Sequence, residues 1–316
     1  MLKNKILILL VLLILSFQGL NGCIEQDLGD ISIIGKGNYD TIQSAINGAS
    51  NGDIIQVPQG QYNEILVIDK SIRLIATIKN STILNYSGNQ TDISIITINS
   101  DNCLVDGFKI ISNNESLNSN GIKLISSNNV ITNNIIQNNN YAILLENSNN
   151  NEISNNILLD NRNGLFMAHS INNDIISNNF SSNTDYGIYA SSQSNNNLFN
   201  LNIFSTNANG IRIKGSQQNK IEKNIIRNND RRGIYLCCGA VNNIVFNNTI
   251  IDNNPNADDK YENQWHFNMI GNYWSDYKSK YPNSIDENND GFWDTPYNIY
   301  EDTSDLFPLI EPITNL

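Results

Sequence analysis

Hydrophobic positions in the middle of the chain recur with a period longer than any helix turn or strand alternation. A small residue opens each apolar stretch, at Gly121, Ala142, Gly164, Gly187, Gly210 and Gly233, in steps of 21, 22, 23, 23 and 23 residues. Each is followed by an apolar–any–apolar triplet: GIKL, AILL, GLFM, GIYA, GIRI and GIYL. Strand alternation predicts that Ile122 and Leu124, Ile143 and Leu145, Leu165 and Met167, Ile188 and Ala190, Ile211 and Ile213, and Ile234 and Leu236 point inward. The polar positions keep the same beat. One asparagine column runs Asn134, Asn156, Asn179, Asn202, Asn224, Asn248. A second, five residues earlier, runs Asn129, Asn151, Asp174, Asn197, Asn219, Asn243, and a third, five later, runs Asn139, Asn161, Thr184, Asn207, Asn229, Asn253.

Three short strands per repeat, each closed by a polar column, predict one coil of a parallel β-helix. Parallel neighbours ordinarily need a long crossover, and coiling supplies it, with the right-handed sense expected. The expected fold is therefore all-β, a right-handed parallel β-helix of about nine rungs of ~23 residues, on the order of 40 Å long at strand spacing. Asparagine suits its corners because it tolerates left-handed backbone, and stacked amides can hydrogen-bond along a ladder. The rod's open ends need covers. Tyr39–Ser50 predicts a short N-terminal capping helix, with Asp40 or Thr41 as cap and Ile42, Ala45, Ile46 and Ala49 on one face. An irregular aromatic and acidic segment supplies the other cover. The division expected is a leader over 1–23, a linker and helical cap over 24–52, the β-helix over 53–254 and a C-terminal cap over 255–316.

Composition sharpens this picture. About a fifth of the 316 residues are asparagine, which the ladders account for, and 40% are hydrophobic. The net charge of −12 excludes the basic stripe of a nucleic-acid binder. Acid concentrates from Asp252 onward, with thirteen Asp and Glu against three Lys and no Arg. At the other end Lys3 and Lys5 precede an apolar run, Ile6–Phe17, too short for a comfortable membrane span. GLNGC, ending at Cys23, resembles a lipobox, although Asn21 departs from the usual small residue. Export with a lipid on Cys23, at the outer face of the cytoplasmic membrane, is expected, with plain secretion as the alternative. Cys103, Cys237 and Cys238 form no disulfide framework, because adjacent strand residues diverge. The pattern puts Cys238 near the core or corner and Cys237 outside.

The segments GNYDTIQSAINGASNGDIIQVPQGQYNE (Gly37–Glu64), the Asn-rich coils, and MIGNYWSDYKSKYPNSIDENNDGFWDTPYNI with DTSDLFPL near the end together resemble the NosD-type right-handed β-helix proteins. These belong to the pectin-lyase-like, carbohydrate-binding and sugar-hydrolysis group. The resemblance implies a surface protein of the archaeal lipoprotein type. It also carries a copper label, from an accessory factor of nitrous oxide reductase maturation.

Two constellations could carry chemistry. In DENNDGFWD, Asp286, Asn288, Asp290 and Asp294 alternate around Gly291 and, with the Phe292 carbonyl, offer the oxygen ligands Ca²⁺ prefers. Asp276 and Asp305 are candidates for a further ligand, and the alternative is an Asx-rich turn held by its own side chains. The outward column Lys123, Leu144, Phe166, Tyr189, Arg212, Tyr235 places three aromatics and two cations on one face, a candidate glycan platform. Cross-strand stabilisation is its structural alternative. No catalytic residue is assigned. SNTDYG and GIRIKG look like pieces of a polygalacturonase signature, but its other segments are missing, and Asp185 and Glu146 are the only nearby acids. Met167, His169, His266 and Met269 are sparse material for copper. Sequons stand at Asn80, Asn85, Asn89, Asn114, Asn179 and Asn247. The expected function is binding or display of glycan or envelope polymer at the cell surface, with surface proteins as further partners. A polysaccharide lyase or hydrolase and a copper accessory protein are the alternatives.

Overall fold

The computed structural model describes residues 29–88, 90, 92–113 and 119–313. The leader, Cys23, Asn89 and Asn114 lie outside them. Three sheets of 11, 10 and 9 strands run the length of a right-handed β-helix of about nine coils, their strands parallel and neighbours one coil apart in sequence except at the N-terminal edge of the first, where Ile31–Ile33 and Gly37–Tyr39 add antiparallel. In one coil the strands are Glu152–Ser154 on the first sheet, Ile157–Leu159 on the second and Asn163–Ala168 on the third. The triplet residues read as inward are all buried in one continuous core. Phe180 and Phe204 stack there at 4.9 Å between ring centroids. Close approach of the next coil's backbone explains the small-residue column, since a Cβ at each of its glycines would meet a carbonyl oxygen at 2.5–2.6 Å. A Cβ on Gly164 would meet the Gly187 carbonyl at 2.5 Å and the Phe180 ring at 2.6 Å.

The asparagines form three hydrogen-bonded ladders, one at each corner. The corner after the first sheet runs Asn134, Asn156, Asn178, Asn202, Asn224, Asn248, Asn272. The other two pass through Asn173 and Asn183. In this one coil the expected members Asn179, Asp174 and Thr184 are each displaced by one residue. The cause is an extra residue between ladder and small residue in Asn183-Thr-Asp-Tyr-Gly187, against Asn161-Arg-Asn-Gly164. Counting from glycines passes that extra residue into the asparagine columns, whereas the ladders themselves keep a strict five-residue spacing. Asn178 shows what membership means. Its backbone N–H and Nδ2 donate to Asn202 Oδ1 at 2.9 and 3.1 Å, its Nδ2 also reaches the Ile153 carbonyl at 2.7 Å, and its Oδ1 accepts both donors of Asn156. Every polar atom of a buried amide is thereby satisfied.

From Asn129 to Asn253, left-handed backbone sits one residue before each ladder asparagine, not on it. Those positions include Asn155, Ser177, Leu201, Lys223 and Asn247, with φ between 53° and 57°. Leucine and lysine there show that the conformation is imposed by the ladder rather than chosen by the residue, at a local cost of about 1–2 kcal/mol each.

Both ends are covered. Helix α1 (Ile42–Gly48) closes the N-terminal end with Ile42, Ala45 and Ile46 buried, and Thr41 forms a capping box with Ser44. The Glu64 carboxylate adds acceptors for the N–H groups of Ile42 and Gln43 at 3.0 and 2.9 Å, a favourable place for negative charge. At the other end Trp265 and Trp274 are buried over the last coils, and Trp274 stacks on Tyr297 at 4.0 Å.

Candidate functional site

The third sheet carries the outward column in register. Lys123, Leu144, Phe166, Tyr189, Arg212 and Tyr235 occupy equivalent places on successive strands, followed by Asp258. Parallel strands a single coil apart hold these side chains close enough to touch. The rings of Phe166 and Tyr189 meet edge to face at 5.2 Å. Arg212 lies over the rings of Tyr189 at 4.9 Å and Tyr235 at 5.4 Å. Leu144 is buried, and Lys123, Phe166, Tyr189, Arg212 and Tyr235 are half-buried.

Four further residues complete this face that strand alternation did not select. Tyr141 packs on Phe166 at 5.0 Å, and Tyr186 on Tyr189 at 5.1 Å while accepting a 2.7 Å hydrogen bond from Arg212. Arg232 lies over Tyr235 at 4.3 Å. Arg162 pairs with Asp185 beside Tyr141 at 2.7 Å. Both tyrosines stand directly before a small residue, Ala142 and Gly187, and that position was the available signal. Acids rim the face, each held by a base: Glu146 by Lys123 at 2.6 Å, Asp185 by Arg162, and Asp258 by Arg232 at 2.7 Å. Glycoside hydrolysis works with one protonated and one free carboxyl across a bond. Here all three acids are tied into ion pairs with neighbouring bases.

The cysteine pair departs from expectation. Cys237 is buried and Cys238 exposed. Cys237 does stand on the outer side of its strand, but it lies against Arg212, and burial and the neighbouring Cys238 raise its pKa against the lowering effect of the guanidinium. Cys238 has φ 57° at the corner, which turns it to solvent.

The acidic loop lies in the C-terminal cap. Asp286 accepts from the N–H groups of Asp290 and Gly291, Asn288 from Asp290, Asp290 from Phe292, and Asp294 from Glu287, at 2.9–3.1 Å. These bonds turn several side-chain oxygens toward one short stretch of backbone. The two acids weighed as a further ligand are engaged elsewhere. Asp276 accepts from Asn256 and Tyr297, and Asp305 is buried beneath the cap. Among the described residues no three His, Cys, Asp or Glu are arranged to hold a metal. Of the residues weighed for copper, Met167 is sealed in the core while His169 stands exposed at a left-handed corner, and His266 packs its ring on Phe307 at 5.2 Å, where burial lowers its pKa.

Comparison with known proteins adds three findings. A family model described as periplasmic copper-binding protein (NosD) matches residues 61–279. A cell surface glycoprotein of Methanothermus fervidus is 33% identical over 135 residues, 42% of this chain and 21% of the relative, so the chain spans about a fifth of that protein. Among solved structures, the enzymatically active domain of bacteriophage CBA120 tailspike protein 2 superposes with a TM-score of 0.52 at 14% identity, covering 73% of this chain and 44% of the other. Pectate lyase Pel9A gives 0.50 at 13% identity, covering 71% and 77%. At such identities the likeness is one of fold.

Proposed function

The chain belongs to the NosD family, and we propose that within it this protein is an extracytoplasmic surface module that binds a glycan or envelope polymer along its third sheet. The observation that carries this reading is the unbroken run of Tyr141, Phe166, Tyr186, Tyr189, Arg212 and Tyr235 across successive coils. Rings held edge-on and tilted at about one strand spacing offer repeated apolar faces to a repeating sugar chain, and the ion pairs at their margins offer donors and acceptors for hydroxyls. A family description as periplasmic and a relative described as a cell surface glycoprotein agree with an exported module. In this reading Cys23 carries a lipid anchor and the loop of Asp286, Asn288, Asp290, Phe292 and Asp294 binds calcium. No residue is assigned to catalysis.

The test is a glycan-array screen of the detergent-solubilised full-length chain beside its Phe166→Ala/Tyr189→Ala/Tyr235→Ala variant. Binding by the parent that the variant loses, with the fold kept by circular dichroism, is the expected result. Equal binding by both would move the site off this face and leave the rings as sheet packing.

A further inference from the structure

Arg212 differs from the other bases that frame the aromatic run. Lys123, Arg162 and Arg232 each reach a carboxylate at 2.6–2.7 Å. Arg212 stands at the centre and forms no ion pair among the described residues. Three tyrosine rings surround its guanidinium, at 5.5 Å for Tyr186, 4.9 Å for Tyr189 and 5.4 Å for Tyr235. Its hydrogen bonding is far from complete. One terminal nitrogen donates to the Tyr186 hydroxyl at 2.7 Å, the Cys237 thiol lies alongside, and the buried Nε has no hydrogen-bond partner. A guanidinium carries five N–H donors in a planar fork and stays charged at every relevant pH. Ring faces attract that charge but do not neutralise it. Here then is a fixed, half-buried cation, pre-oriented by three rings, with donors to spare and no counter-ion of its own.

We infer that Arg212 is an anion-recognition subsite of this platform, taking a carboxylate, sulfate or phosphate group carried on the bound polymer. The inference rests on the glycan-binding reading and narrows it to acidic polymers. Acceptor oxygens on the ligand would meet the remaining N–H groups of the terminal nitrogens, since Nε is shut off from the surface, while sugar faces lie on Phe166 and Tyr189 to one side and Tyr235 to the other. The flanking bases are already compensated by Glu146, Asp185 and Asp258, so selectivity for charge is concentrated at one coil.

The experiment uses an array of matched neutral, carboxylated, sulfated and phosphorylated glycans, with full-length parent, Arg212→Gln, Arg212→Lys and Lys220→Gln. Lys220 lies on the first sheet, paired with Glu222, and its substitution makes the same change in net charge away from the platform. The parent should prefer anionic members, and Arg212→Gln should weaken those about tenfold, the worth of one charged hydrogen-bonded contact. Neutral members should bind Arg212→Gln as they bind the parent, Arg212→Lys should fall between, and Lys220→Gln should behave as the parent. The anionic series that loses most identifies the group recognised. If Arg212→Gln weakened neutral and anionic members alike, Arg212 would be a brace for the tyrosines, and the inference would fall while the platform stood. If the parent showed no anion preference the inference would also fall, and binding to no member would remove it together with the platform.

Discussion

Asn272 hands the last amide proton of its ladder to Asp305, whose Oδ2 lies 3.3 Å from Nδ2 and 2.7 Å from the backbone nitrogen of the same residue. Each ladder residue donates its backbone N–H and one Nδ2 proton to the next amide toward the C-terminal end, the other Nδ2 proton turning back, in Asn178 to the Ile153 carbonyl of the preceding coil, so each ladder would finish on forward-pointing N–H groups that carry partial positive charge. Three carboxylates receive them. Asp259 takes Asn263 Nδ2 at 2.9 Å, Asp276 takes Asn256 Nδ2 at 2.8 Å, and Asp305 takes Asn272. Each also takes an aromatic donor of the cap, from Trp265, Tyr297 and Trp274 respectively. The logic is that of an acid at a helix N-terminus, transferred to a side-chain ladder.

Asp305→Asn should therefore destabilise strongly although it is nearly isosteric. Asp305 accepts from the backbone and side chain of Asn272, from Trp274 and from Phe307, and an amide would turn its own N–H₂ toward one of these donors. A loss of roughly 2–3 kcal/mol in urea unfolding is expected, the cost of a buried donor left unmet. A loss under about 0.5 kcal/mol would show that the ladder end relaxes to water.

The same carboxyl gives stability a pH dependence of unusual sign. Burial raises Asp305 to about 6 in the folded protein, against the lowering effect of its donors, from 3.8. Between these values the folded state holds the extra proton, so stability falls as pH rises, by roughly 3 kcal/mol in all. Burial shifts Asp259 in the same direction. Unfolding free energies measured from pH 4 to 7.5 should decline through this window, and the Asp305→Asn variant should lack the Asp305 share of that slope.

Asn178 and Asn179 are neighbours with opposite fates. Asn178→Ala removes a fully engaged ladder amide and should cost roughly 2–3 kcal/mol, because the donors of Asn156 lose their acceptor. Asn179 lies on the strand Asn179–Ser181 with its side chain outward, so Asn179→Ala should stay within about 0.5 kcal/mol. Denaturant midpoints of the two variants decide the register directly.

For the acidic loop, millimolar calcium should raise the midpoint of thermal unfolding of the parent, since a ligand bound only by the folded state stabilises it. Asp286→Ala/Asp290→Ala should abolish that increment. Equal midpoints with calcium and with chelator in the parent would leave the loop as a turn held by its own Asx side chains.

The pattern of apolar triplets was enough to read the coil, the core residues and the N-terminal cap, because strand alternation and capping are local rules. The ladder register in the coil of Asn178 escaped, since SNNF, INND and SSNT each offer adjacent polar residues that a glycine-anchored count cannot separate. Phe166, Tyr189, Arg212 and Tyr235 were legible as a column, whereas Tyr141, Tyr186 and Arg232 enter the face from the turn side. The role of Asp305 depends on a contact with Asn272, 33 residues away, that no repeat predicts.

The ladders also settle how such a rod can change its length. From Asn129 to Asn253 each coil presents three amides to the next, and the turns between sheets absorb coils of 22 or 24 residues without disturbing that fit. A segment inserted at a turn is a local decoration, but a fraction of a coil would leave amides facing carbonyls of the wrong corner. The rod therefore grows or shrinks only in whole steps. Along the third sheet, one step is also one more outward position in the row that holds Phe166, Tyr189 and Arg212, so the length of the rod and the number of side chains in that row are counted in the same integer.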